Sequence, residues 1–478
     1  MPHSRSRFIA VALAGAAFGA VSARADDLVA PRLTLDPTVI TADAATAPAK
    51  DPLDQIKQPT DWFKWGADAR LRLEGFNNAI TLNEQAAGHE WDFFRYRTRV
   101  WASISPIPEF SANIRLMWEG RHWQNPVRDE GDSVAATKPE WDNGQLEFDN
   151  LNFKLTLAPL NTTFTVGRQD IILGDGWLVL EGTPLDGSTT IYFDAVRSST
   201  NLKDIQTTVD LIYINQYSSP DFWLPTINDT DRPQIENNER GAILWATNKS
   251  IKNLELDPYF IYKHDEAVYS LAKGGDNADI YTFGTRAVYD FNANLRGRIE
   301  AAGQFGSKNG ESICAFGALS RLTYSFNDAL KNELRFNFEY LSGDNPGTAK
   351  NEAFDPLWGR WPQWSELYVY SYAKETRIAN ITNLIRVGPG YVVRPTSSTE
   401  LELDYNALFA PQNTHAGSAG FTETGDFRGQ LFSAIFRYKI NQHMSGHLWT
   451  EYLVPGNYYD SSRRDNAIFF RAEVVLTF

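Results

Sequence analysis

The chain has 478 residues, 13% of them aromatic (14 Trp, 29 Phe and 20 Tyr, against 3 Met), and a formal net charge of −14 at pH 7. An acidic balance of this size argues against a nucleic-acid partner. A lone cysteine, Cys314, excludes an internal disulfide and a cysteine-based metal site, and the abundance of aromatics favours β structure.

Residues 1–25 carry Arg5 and Arg7, an apolar run from Phe8 to Val21 and the small-residue motif Ala23-Arg24-Ala25, the layout of a secretory signal peptide. The apolar run is too short for a lasting membrane helix, and no later stretch reaches the roughly 18 apolar residues that one needs. Residues 26–60 form a polar, Ala/Pro/Thr-rich lead, too short for a folded plug. Residues 61–478 read as a succession of alternating segments. Eighteen begin near Lys64, Trp91, Phe110, Leu146, Thr162, Thr189, Ile205, Asn238, Glu255, Ala278, Leu295, Ile313, Asn332, Thr382, Thr399, Arg428, Met444 and Asn466. A tilted strand of roughly 9 to 11 residues crosses a bilayer, so the expected fold is all-β: a transmembrane antiparallel β-barrel of about 18 strands, with 16 as the alternative.

Connections alternate in length. Short turns fall near Pro106, Pro159, Leu202, Lys252, Ala293, Asp328, Thr396 and Asn441, and long polar segments at 122–145, 216–237, 343–381, 410–427 and 455–465. Short turns belong in the periplasm and long loops outside the cell. In the last segment Ile468, Phe470, Ala472, Val474 and Leu476 share one face and Arg471 and Glu473 the other, ending on Phe478. This closing pattern resembles the C-terminal signature of bacterial outer-membrane barrels, and implies the outer membrane as location and the barrel-assembly machinery as a partner.

In the second segment Arg95, Arg97 and Arg99 alternate with Phe94, Tyr96, Thr98 and Val100. An arginine at the bilayer midplane on the lipid side costs roughly 2 to 4 kcal/mol, so the arginines face the lumen. The same parity assigns Arg70, Arg72, Arg115, Arg286, Arg296, Arg298, Arg335 and Arg386 to the pore lining, with Arg321, Arg437 and Arg471 on matching faces. Acids share these faces. In the first three segments the six arginines outnumber Asp68, Glu74 and Glu119, which predicts an anion-attracting path.

The segment from Val166 to Ser198 holds Gly167-Arg168-Gln169, then Gly174-Asp175-Gly176-Trp177-Leu178-Val179, then Phe193-Asp194-Ala195-Val196-Arg197. These motifs resemble the alginate-export family of outer-membrane barrels. The family often has an arginine where this chain has Trp177 and a glycine where it has Ala195. The resemblance implies an eighteen-stranded pore that passes an anionic polysaccharide outward along lumen arginines, with periplasmic export partners. Physically, Arg168, Gln169, Asp194 and Arg197 are placed to form a network that fixes a short loop at the pore mouth, and Gly174 and Gly176, with glycines at 182 and 187, suit its turns.

No cofactor motif is present. His443 and His447 sit about 13 Å apart along a strand, too far to share a metal. The acidic loops, with Asp129, Glu130 and Asp132 in one and Asp221, Asp229, Asp231 and Glu236 in another, read as solvated surface, with divalent-cation bridging as the other reading. The favoured function is a channel for an anionic saccharide or polysaccharide, embedded in outer-membrane lipid and lipopolysaccharide. A general or substrate-specific uptake porin is the alternative. An outer-membrane lipase or protease ranks last, because His447 and Glu451 lack a serine partner; the expectation is no enzyme, preferentially monomeric.

Overall fold

The computed structural model describes residues 53–125, 141–181, 191–219, 223–228, 235–269, 275–359, 362–369 and 382–478. Residues 1–25, expected to be a signal peptide, and most of the lead expected over 26–60 lie outside these residues. The strands in chain order are β1 (Phe63–Asn77), β2 (Glu90–Ile107), β3 (Phe110–Asn125), β4 (Trp141–Leu157), β5 (Thr162–Gln169), β6 (Ile171–Ile172), β7 (Leu180–Glu181) and β8 (Phe193–Leu202). They continue as β9 (Thr207–Gln216), β10 (Asn237–Asn248), β11 (Leu254–Ala267), β12 (Ala278–Asp290), β13 (Leu295–Lys308), β14 (Glu311–Ser325), β15 (Glu333–Leu341) and β16 (Lys350–Asn351). The last five are β17 (Leu384–Thr396), β18 (Thr399–Phe409), β19 (Phe427–Asn441), β20 (Met444–Pro455) and β21 (Ala467–Thr477). Two one-turn helices, α1 (Asp54–Lys57) and α2 (Glu366–Val369), complete the set.

Each wall strand pairs antiparallel with the next, and β1 pairs with β21 in the register Leu73↔Ala472 and Glu74↔Arg471, so the sheet closes on itself. The two-residue strands β6, β7 and β16 stand outside this succession, which leaves eighteen strands in the wall. Closure is what makes the fold viable in lipid: every wall strand has a neighbour on both sides, β4 over only part of its length, so the sheet has no free edge strand. Observed strand starts fall within five residues of those read from alternation.

Alternation also sorts the faces. Leu71, Val100, Phe153, Leu211, Phe283, Phe336, Phe432 and Phe470 are exposed on the outside, the apolar belt that lipid requires. Aromatic pairs edge this belt at both ends, Tyr289 with Phe291 and Tyr324 with Phe326 at one, Tyr262 with Tyr281 and Phe305 at the other. Between strands, the turns at one end are short, including the 3-10 turns Ala158–Leu160 and Lys203–Ile205. By the asymmetry rule this is the periplasmic end. One loop at the opposite end breaks the pattern: β13 and β14 are joined by Asn309 and Gly310 alone, both at positive φ (53° and 88°), a tight hairpin where a long loop is the norm.

At the periplasmic rim α1 sits beside the chain's last residue. Lys57 lies 5.6 Å from the centroid of the Phe478 ring, and the Trp65 ring 5.0 Å from it. Trp65 also donates to the Ile56 carbonyl, tying the lead to the barrel.

Candidate pore constriction and lumen

The wall is interrupted at β5. Gly167 has φ +118°, and an added Cβ there would lie 2.4 Å from the Leu151 carbonyl oxygen, so only glycine fits the bend. After Gln169 the chain leaves the wall for the barrel interior. The upper edge of β4 then lacks a neighbour, and residues 223–228 supply one: Ile227 N–H donates to the Leu146 carbonyl, and Leu146 N–H to Asn228 Oδ1. Arg168 occupies this junction, 1% exposed. It donates to both carboxylate oxygens of Asp194 (3.0 and 3.2 Å) and to the Phe148 carbonyl (2.9 Å), with its guanidinium 3.6 Å from the Tyr192 ring centroid. Trp223 closes the cluster through its indole N–H to Asp194. Gln169 donates to the Gly167 and Ala195 carbonyls. Arg197 differs from expectation: it faces the lumen and pairs with Asp210 at 2.8 Å, not with Asp194, because the two residues of β8 point to opposite sides of the wall.

Two segments from the long-loop end fill the lumen. The first, residues 170–181, folds as the small hairpin β6–β7, with Gly174 and Gly176 at positive φ. Glycines 182 and 187 lie outside the described residues. The second comprises residues 354–359 and 362–369. The two segments join each other: Trp358 N–H donates to the Leu178 carbonyl, and Gln363 Nε2 to the carbonyls of Asp175 and Gly176. Gly359 passes so close to the Trp177 carbonyl that a Cβ would lie 1.8 Å from it. Trp177 stacks on Phe354 with centroids 5.4 Å apart and donates to Glu339.

Wall residues hold this diaphragm around much of the circumference. Asp175 accepts from Arg286 (2.9 Å) and Arg298 (2.6 Å). Trp358 donates to Glu239 on β10, Arg428 on β19 donates to Tyr368, and Lys308 on β13 pairs with Asp355 at 2.8 Å. Glu451 on β20 accepts from Ser365 Oγ and from the N–H groups of Glu366 and Leu367, capping α2, while Glu366 pairs with Arg471. Burial alone would raise the Asp355 carboxyl, but Lys308 and Lys263 beside it outweigh that and hold it at about 2.

The arginines of β1–β3 face the barrel interior, where Arg70 stands directly across from Arg97 and Arg72 across from Arg95. All are buried, at 1 to 7% exposure for Arg70, Arg72, Arg95, Arg97, Arg99 and Arg115. Their charge is met: Arg70 by Glu119, Arg72 by Glu473, Arg95 by Glu74 and Glu119, Arg97 and Arg99 by Asp68, and Arg115 by Asp149 and Asp170. Glu473 arrives from β21 and Asp170 from the inward segment, neighbours created by closure and by the loop's return. The arginine excess counted on these three strands is thereby offset.

On the opposite wall Arg286 meets Glu255 and Asp257 besides Asp175, Arg335 meets Glu333 and Glu402, and Arg386 meets Glu339. Arg296 is exposed near the short-turn end and pairs with Asp290. His447 pairs with Glu473 at 3.1 Å, so it and Glu451 are engaged separately. Among the described residues no group of His, Cys, Asp or Glu is placed to hold a metal ion; of the acidic loop residues named above, all but Glu236 lie outside them.

A family model described as alginate export matches residues 61–469. The chain belongs to the alginate-export family. No curated protein matches the sequence. Solved structures similar to this family member include OccAB3 of Acinetobacter baumannii (TM-score 0.56, 9% identity, 87% of this chain and 99% of that one). OpdQ and OccK8 (OprE) of Pseudomonas aeruginosa follow at TM-scores of 0.55 and 0.54, with 10% and 11% identity, over 87% of this chain and 97% and 98% of theirs. At such identities the likeness speaks for the fold. Family and closed eighteen-strand wall together make the chain a channel of the bacterial outer membrane. Where the family often carries arginine, this member stacks Trp177 against Phe354 inside the diaphragm.

The inward loop after Gln169 follows the expected motif, but the second inward segment, residues 354–359 and 362–369, is not named by sequence reading. Its signal was present: Trp358, Trp361 and Trp364 fall within seven residues of a segment read as a long polar outer loop. Tryptophans so concentrated in a loop need an apolar surface to cover them.

Proposed function

We propose that this channel conducts an anionic saccharide or polysaccharide across the outer membrane, past guanidinium groups set on the lumen wall and through a constriction made by the two inward segments. The observation that carries this reading is the density of arginine on the wall of a member of the alginate-export family: Arg286, Arg298, Arg335 and Arg386 stand on β12–β17 around the diaphragm, and Arg437 on β19. Arginine suits the task because its planar fork stays charged and matches a carboxylate geometrically. Compensating acids keep each site weak, which favours release over retention.

Conduction of small solutes inward is the second reading, favoured by the diaphragm itself, which narrows the lumen. Single-channel recording in planar bilayers separates the two. Reversible current block by an oligouronate, with none by a neutral dextran of equal length, supports the anionic-saccharide channel. Equal block by both, or by neither, discards it in favour of the general porin.

A further inference from the structure

The lipid-facing side of β17–β20 is not evenly covered. Register sets its outward residues in rows that cross the strands. Tyr405, Phe432 and Tyr452 form one row, and Leu401, Phe436 and Leu448 another nearer the short-turn end. Between them lies the row Tyr391, Leu403, Ala434 and Thr450, which drops from large side chains to small ones. The result is a trough of about 440 Å³, which Leu334 extends onto β15 and the Pro389 ring joins from β17. Tyr405 and Phe432, with ring centroids 5.2 Å apart, form part of its rim.

Pro389 marks a discontinuity in the wall itself. Across this stretch β17 pairs with β15 without interruption, whereas its pairing with β18 steps from Val387↔Ala407 to Gly390↔Asp404. Proline has no N–H to give a neighbour, so it is kept from the middle of a sheet unless the ladder lapses there. The side-chain polar groups around the trough are occupied. The Tyr391 hydroxyl donates to Asn332, that of Tyr405 to Gln430 and that of Thr450 to the Phe469 carbonyl, while the Tyr452 hydroxyl accepts from Asn466. Asp404, Ser433 and Glu451 also border the trough, but their side chains are engaged on the lumen side, with Asn337, Trp449 and α2. What the side chains offer an occupant is carbon surface.

A concavity of this size is in the range of ligand pockets, and leaving it empty would forfeit contacts along its lining. Its setting names the occupant. The trough opens onto the apolar belt, where the surroundings are acyl chains, and it crosses from β15 to β20, about 19 Å at roughly 4.8 Å per strand. Long, narrow and apolar, it fits one extended hydrocarbon chain, whereas a second barrel presents a convex face that cannot enter it. Height selects the leaflet. Leu334 is the second residue of β15, Leu403 the fifth of β18 and Tyr391 the sixth from the end of β17, all nearer the short-turn end. We infer that this trough is a binding site for one acyl chain of a phospholipid from the periplasmic leaflet, held across the lapse at Pro389 as a fixed part of the wall.

The test places the full barrel in vesicles of phosphatidylethanolamine and phosphatidylglycerol with a trace of phosphatidylethanolamine that carries a diazirine in its acyl chain. After illumination, adducts are located by peptide mass spectrometry. Several-fold more adduct is expected on residues 389–405 and 432–452 than at Leu211 and Phe283, which are at least as exposed on the rest of the belt. Adduct no denser in the trough than at those two residues overturns the site. Ala434→Trp fills the trough and should bring its labelling down to the level of the belt with Phe283 unchanged; an excess that survives the substitution also overturns it. Should the tryptophan variant fail to assemble, native mass spectrometry of wild type extracted in mild detergent decides: one retained phospholipid per barrel supports the site and none overturns it. Lipopolysaccharide added to the vesicles should leave the excess in place. Loss of the excess would assign the trough to lipopolysaccharide, and a trough shielded from the photolipid within a dimer would assign it to a second copy, either of which overturns the inference.

Discussion

Arg168 shows how a family motif can serve the scaffold. Its side chain lies where β5 leaves the wall, and its bonds to Asp194 and Phe148 join the strands on either side of the gap. Removing one partner of a buried pair leaves a charge uncompensated, at a cost of about 3 to 5 kcal/mol. Arg168→Ala and Asp194→Ala are therefore each expected to lower the thermal unfolding midpoint in detergent, and the double variant by less than their sum. Additive effects would show that the two act independently. The same reasoning applies inside the barrel. Arg99→Ala leaves Asp68, 4% exposed, with the more distant Arg97 as its remaining partner at 3.9 Å. We expect loss of stability at neutral pH, measurable as a lower unfolding midpoint, together with any change in ion selectivity.

The diaphragm is an element held from outside itself. Glu451 supplies acceptors to Ser365, Glu366 and Leu367. Glu451→Ala leaves those donors without their acceptor, at about 1 to 3 kcal/mol, so the population of displaced segments should rise roughly 5- to 150-fold. More frequent high-conductance openings in single-channel records are the expected result, and unchanged gating would place the restraint elsewhere. Asp355 gives the pH dependence. Its carboxyl, held at about 2 in the folded protein, contributes stability that is fully present above its unfolded value of about 3.9 and is lost progressively as pH falls from there through about 2. Protease sensitivity of this segment should stay flat from neutral pH to about pH 4, while Asp355→Asn should be more sensitive throughout. A rise in wild-type cleavage around pH 5 would contradict the assignment.

At the scale of the whole molecule, closure between the first and last strands makes the barrel. Leu73 and Ala472 face each other across β1 and β21 on the outer surface. Directly opposed strand residues lie about 4.5 to 5.5 Å apart at Cα, within disulfide reach. In a Cys314→Ser background, Leu73→Cys with Ala472→Cys should form a cross-link visible as altered gel migration. Leu73→Cys with Arg471→Cys, one residue out of register and on the other face, should not. Cross-linking of the second pair instead would overturn the register.

The eighteen strands, their two faces and the inward direction of the arginines followed from sequence, because alternation is local and lipid forbids charge on one side of every strand. Alternation could not tell which acids neutralise those arginines. Glu473 meets Arg72 only because residues 401 positions apart become neighbours on closure, and Asp170 meets Arg115 only because a loop turns inward. Likewise Arg168 and Trp177 were legible as a motif, yet their roles depend on a gap in the wall and on Phe354 from a distant loop. Strand identity is set by each residue's nearest chain neighbours and its solvent, so the sequence alone determined it. Charge compensation and constriction depend on groups brought together by sheet closure and loop return, and only the tertiary structure decided them.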